Sequence, residues 1–115
     1  MFWGKLASIN LYGCDSNLIK NKKSIRCYIG KLCNEINMKP YGKAIIKRFG
    51  DADLNGVSAL QFIETSSITL HFDETQNRAF IDIFSCKDFD EKSAESFSKE
   101  FFKAKKSKMQ MIIRE

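Results

Sequence analysis

Apolar positions along the chain change period in a regular order. From Lys5 to Tyr12, Ala7, Ile9 and Leu11 fall on one side, which predicts a strand. Gly13-Cys14-Asp15-Ser16 then offers turn and cap chemistry. Ile25, Ile29, Leu32 and Ile36 recur at helical spacing, predicting one long amphipathic helix over Asn17–Met38 that Pro40 and Gly42 end. Lys43–Phe49 reads as a second strand and Gly50–Asp53 as a loop. Val57–Glu64, Ile68–Phe72 and Ala79–Phe84 follow as strands, with Asp73–Asn77 a polar turn. Their connections are too short for helical crossovers, so antiparallel neighbours are expected. Ser93–Ala104 returns to helical spacing, with Ala94, Phe97, Phe101 and Ala104 on one face. A last strand, Lys108–Ile113, would turn Met109, Met111 and Ile113 inward. The order βαββββαβ predicts an α+β fold: a two-layer sandwich of a mainly antiparallel sheet, about six strands, with two helices on one face.

Composition narrows the class. At 115 residues and 43% hydrophobic, the chain has room for one domain and is too apolar for disorder. No apolar run approaches the ~20 residues that cross a bilayer, so no membrane span is expected. The opening Met1-Phe2-Trp3-Gly4-Lys5 lacks the order of an export signal, which points to the cytoplasm. The net charge of +5 comes from scattered lysines, which argues for a solvated surface rather than a nucleic-acid patch. Cys14, Cys27, Cys33 and Cys86 form no C-x-x-C pair and read as free thiols. With His71 the single histidine, no histidine-rich metal site is available, and no metal is expected.

Candidate chemistry concentrates between Gly56 and Cys86. Ser58, Thr65, Ser66, Ser67, Thr69, His71, Ser85 and Cys86 lie there among strand residues. A serine near a histidine suggests nucleophilic or acid–base work, because imidazole titrates near neutrality. The same residues are also common on half-buried sheets, so spacing alone leaves an α+β domain without an assigned activity.

The chain resembles the pyruvoyl-dependent S-adenosylmethionine decarboxylase proenzymes of bacteria and archaea. The resemblance begins at Leu11-Tyr12-Gly13-Cys14-Asp15 and sharpens at Gly56-Val57-Ser58, Ser66, Ile68-Thr69-Leu70-His71 and Ile81-Asp82-Ile83-Phe84-Ser85-Cys86. It implies self-cleavage between Thr65 and Ser66 into a β chain (1–65) and an α chain (66–115). Ser66 would attack the Thr65 carbonyl and end as a covalent pyruvoyl group, the cofactor that forms a Schiff base with substrate. Ser58 would donate to the oxyanion, and His71 would act as the processing base. Cys86 matches the family's proton donor; an ordinary thiol is mostly protonated at neutral pH. The resemblance further implies a homodimer of processed αβ protomers whose substrate site draws on both.

Two departures bear on substrate. The family usually flanks the processed serine with glutamate and histidine, where this chain has Thr65 and Ser67. After His71 the family's threonine, tryptophan, proline and glutamate are replaced by Phe72-Asp73-Glu74-Thr75. Glu74 would then supply the carboxylate for the ribose hydroxyls, and Phe72 or Phe49 the stacking ring. Three readings follow. The first is a decarboxylase of S-adenosylmethionine that supplies the aminopropyl donor for spermidine. The second is an arginine or ornithine decarboxylase of the same ancestry, with Asp73-Glu74 receiving the basic end. The third is a non-processing homologue or basic binding domain.

Overall fold

The computed structural model describes residues 1–115. Six strands form one antiparallel sheet: β1 (Gly4–Tyr12), β2 (Ile45–Phe49), β3 (Gly56–Ile63), β4 (Ser66–Asp73), β5 (Arg78–Ser85) and β6 (Lys106–Arg114). Their spatial order is β2-β3-β4-β5-β1-β6, so the first strand is inserted between the last two. Three helices, α1 (Ser16–Lys20), α2 (Lys22–Glu35) and α3 (Glu91–Phe101), complete the α+β sandwich.

The long helix predicted over Asn17–Met38 is two helices. Asn21 adopts an extended backbone, and its side chain accepts from the Lys23 and Ser24 amides, which caps α2 and ends α1. Nor do Pro40 and Gly42 terminate α2. Asn37 does so, with φ of 56°, while the Met38 amide reaches back to the Cys33 carbonyl at 2.8 Å. That termination delivers Met38, 5% exposed, to the sheet.

Alternation decides which sheet face is covered. Ala7, Ile9, Leu11, Val57, Ile68, Leu70, Ala79, Ile81 and Ile83 are buried beneath the helices. Tyr28 of α2 fills the centre, stacked on Phe97 and tilted against Phe102, which meets Phe72 edge-on. Met109, Met111 and Ile113 have the predicted parity, but β6 is an edge strand that outruns the helices. Met111 and Ile113 are therefore 46% and 51% exposed rather than buried. The opposite face has no helix over it, and it carries exposed Ile45, Phe49, Phe62 and Ile112.

Candidate active site

Ser66 is the first residue of β4, reached from β3 through the two-residue turn Glu64-Thr65. Two-residue hairpin turns favour positive φ at their central positions, which glycine or asparagine supplies without strain. Here the turn has neither, and the positive φ falls on Ser66 at 154°, a value rare for a residue with a side chain. Both flanks brace that geometry. On one side the Glu64 amide bonds the Lys39 carbonyl at 2.9 Å and the Tyr41 amide bonds the Phe62 carbonyl at 2.8 Å. Buried Gln61 adds a donation from Nε2 to the Gly42 carbonyl at 3.1 Å.

On the other side stands the end of β5. Ser66 pairs with Ser85, and the Cys86 amide donates to the Thr65 carbonyl at 3.0 Å. The Ser85 hydroxyl accepts from the Lys87 amide at 3.0 Å and donates to Thr65 Oγ1 at 2.8 Å. Thr65 Oγ1 in turn approaches Met38 Sδ at 3.3 Å. The Thr65–Ser66 peptide thus has its carbonyl oxygen on a backbone donor and its threonine side chain locked. Cys86 is exposed beside it. Ser66 and Cys86 are brought together.

Ser58 and His71 lie elsewhere on the same strands. They pair across β3 and β4, with Lys47 next in the row, and Ser58 Oγ is 2.9 Å from His71 Nδ1. One tautomer serves two tasks: Nδ1–H donating to Ser58 leaves Nε2 bare to take a proton and the Ser58 hydroxyl free to donate. Phe49 joins them in a hollow of about 230 Å³, which also includes Ile45, Leu60 and Thr69. From the Ile63–Ser66 pair to the Ser58–His71 pair is five ladder steps, about 17 Å at strand rise. Within one chain, neither Ser58 nor His71 reaches the Thr65 carbonyl or the Ser66 α-carbon.

Two substrate-side expectations also change. Phe72 is 6% exposed and packs on Phe102 under the helices, so Phe49 is the ring beside His71. The Glu74 carboxylate faces the Arg48 guanidinium at 2.7 Å without hydrogen-bond geometry, and Asp73 is bridged by Arg78 at 2.7 Å. Both carboxylates are already neutralised.

The family model for S-adenosylmethionine decarboxylase matches residues 5–115. The chain belongs to the S-adenosylmethionine decarboxylase family. It is a carboxy-lyase of the group that serves polyamine synthesis, and pyruvoyl autocatalysis is characteristic of that family. The crystal structure of the adenosylmethionine decarboxylase from Aquifex aeolicus VF5 shares the fold. Its TM-score is 0.82 at 20% identity, over 98% of this chain and 91% of that one. No curated protein matches the chain. No helix is long and apolar enough to cross a membrane.

The sequence reading assigned no role to three participants of this S-adenosylmethionine decarboxylase-family site, although it listed Ser85 among the candidates. The Cys86 amide is backbone and leaves no mark in residue type. Ser85 and Met38 reach Thr65 only through register and the turn after α2. The remaining thiols stand apart: burial pushes the Cys14 thiol up to about 11 and raises that of Cys33, while Cys27 is exposed on α2.

Proposed function

We propose that this chain cleaves itself at Thr65–Ser66 and then decarboxylates S-adenosylmethionine. The observation that carries the reading is the strained Ser66 behind a carbonyl already held by the Cys86 amide. Ser66 Oγ attacks the Thr65 carbonyl carbon, the C–N bond breaks, and an ester replaces the amide. The Cys86 N–H and one further donor stabilise the oxyanion; a single such donor is typically worth ~10²–10³ in rate. A base then removes the Ser66 α-proton, and the Thr65 carboxylate leaves. Water hydrolyses the resulting dehydroalanine with loss of ammonia, which makes residue 66 a pyruvoyl group.

Ser58 and His71 supply the second donor and the base, and they come from a second copy. Two copies meeting through their uncovered sheet faces, related by a twofold axis, set the Ser58–His71 pair of each against the Ser66–Cys86 end of the other. That face fits the role, because it carries exposed Ile45, Phe49, Phe62 and Ile112. An open hollow beside the hairpin tip is lined by Tyr41, Phe62, Ile63 and Glu64.

The pyruvoyl group supplies an electron sink for loss of carbon dioxide. Around it, Cys86 returns a proton to the substrate α-carbon, and Phe49 of the second copy offers its ring to the adenine. Arginine and ornithine fit less well, since the carboxylates that would take their basic ends are bound by Arg48 and Arg78.

Intact-mass analysis tests the cut. Fragments ending at Thr65 and beginning at a pyruvoyl residue are expected, with Ser66→Ala leaving one chain and no carbon dioxide release. An uncut native chain after long incubation would overturn the reading. Carboxyl-labelled S-adenosylmethionine, arginine and ornithine, compared side by side, decide the substrate.

A further inference from the structure

Lys5 is the only charged residue among the buried ones. Strand alternation puts it on the covered face with Ala7, Ile9 and Leu11, where an ammonium group needs partners of its own. It has three. Nζ donates to Asp88 Oδ1 at 2.7 Å, to the Phe89 carbonyl at 2.6 Å and to Glu91 Oε1 at 2.7 Å. It also stands 4.7 Å from the centre of the Phe89 ring. Desolvation pulls the Lys5 pKa down, but the hydrogen bonds and charges of Asp88 and Glu91 outweigh it and leave it raised.

All three acceptors belong to one segment. The chain leaves β5 at Ser85, passes Cys86 and Lys87, and enters α3 at Glu91. Lys5 sits opposite Ser85 in the β1–β5 ladder. The segment is thus drawn back to the point it departed from, and Cys86 lies between a ladder pair and a three-point ionic anchor. Charge-assisted bonds of this length are among the stronger ties available to a loop.

The geometry points to Lys5 as a positioning residue for self-cleavage: it holds the Cys86–Glu91 segment so that the Cys86 amide stays on the Thr65 carbonyl. The role rests on the cleavage reading above. An oxyanion donor works only while its distance and direction are kept, so loosening the anchor slows the acyl shift without touching any reacting atom.

Two measurements test it. In the first, freshly translated chains are followed by denaturing gel. Lys5→Met is expected to cleave about tenfold more slowly than native, a fraction of what losing an oxyanion donor outright costs. Lys5→Arg is expected to restore most of the rate. In the second, amide exchange is read by mass spectrometry in the Ser66→Ala background, which cannot cut. Lys5→Met should there speed exchange at Cys86 while the β1–β5 ladder keeps its protection. A native cleavage rate, an unchanged Cys86 amide, or a loss of protection spread evenly through the sheet would each overturn the role. If Lys5→Met does not fold, the double variant Asp88→Asn, Glu91→Gln carries the same expectations and the same refutations. If the native chain never cuts, the cleavage reading falls, and the exchange measurement alone decides whether Lys5 positions the Cys86 amide.

Discussion

At the scale of single residues, the site is a set of side chains sorted by exposure and by what holds them. Cys86 and Cys27 are open to solvent, whereas Cys14 and Cys33 are buried. Burial raises the Cys14 thiol to about 11, which leaves almost none of it as thiolate at neutral pH. Iodoacetamide on the processed protein is therefore expected to label Cys27 and Cys86 first, with peptide mapping as the check. In a Cys27→Ser background, decarboxylation should fall in step with Cys86 labelling. Activity that survives full Cys86 labelling would remove the thiol from its proton-donor role. The family resemblance, resting on the three separations among them, made Ser58, Ser66, His71 and Cys86 legible together, although the separations say nothing about which chain each serves. Lys5 carried a readable signal too: a lysine in phase with Ala7, Ile9 and Leu11 is a charge on the buried face.

At the scale of elements, caps and anchors decide where the chain turns toward the site. Asn21 splits the predicted helix because its side chain takes the Lys23 and Ser24 amides at 2.8 and 3.2 Å. Asn21→Ala is expected to lower folding stability by about 1 kcal/mol in urea unfolding, the usual cost of losing a cap. The tie between β1 and the segment entering α3 has its own pH window. The Asp88 and Glu91 carboxyls are held below their ordinary values, first by the hydrogen bond each takes from Lys5. Their contribution is present above the ordinary carboxylate values of 3.8 and 4.5 and is lost as pH falls through the lowered folded values. Lys5 is raised, so its part persists up to its ordinary value of 10.5 and fades as pH climbs through the higher folded one. The stability gap between native protein and Lys5→Met should thus be flat from about pH 5 to 10 and close in acid. A gap that stays constant down to pH 2 would contradict the ionic account. Periodicity found every strand, since alternation persists wherever one face is buried; it joined α1 to α2 because no glycine or proline between Asn17 and Ile25 marks the break at Asn21.

At the scale of the whole molecule, the sheet is covered on one face, and the proposed site is divided between copies. The Ser66–Cys86 end and the Ser58–His71 end are five ladder steps apart, an odd number that puts Ser66 in phase with buried Ile68 and Leu70 and His71 on the uncovered face. A cross-chain site makes a sharp prediction for mixed dimers. His71→Ala alone should stall, whereas co-expression with Ser66→Ala chains should restore cutting of the His71→Ala chains, read by intact mass. Processing confined to one chain would leave both variants whole. Short-range pattern determined the strands, the antiparallel pairing, the covered face and the residue types that carry chemistry, because each depends on neighbours a few positions away. Only tertiary structure decided that the Cys86 amide meets the Thr65 carbonyl, that Phe72 is core, and that Glu74 and Asp73 are taken by arginines. It also separated Ser58 and His71 from Ser66. Those facts depend on ladder register and on which residues lie beneath the helices, and a one-dimensional spacing is the same whether two ends of a strand serve one site or two.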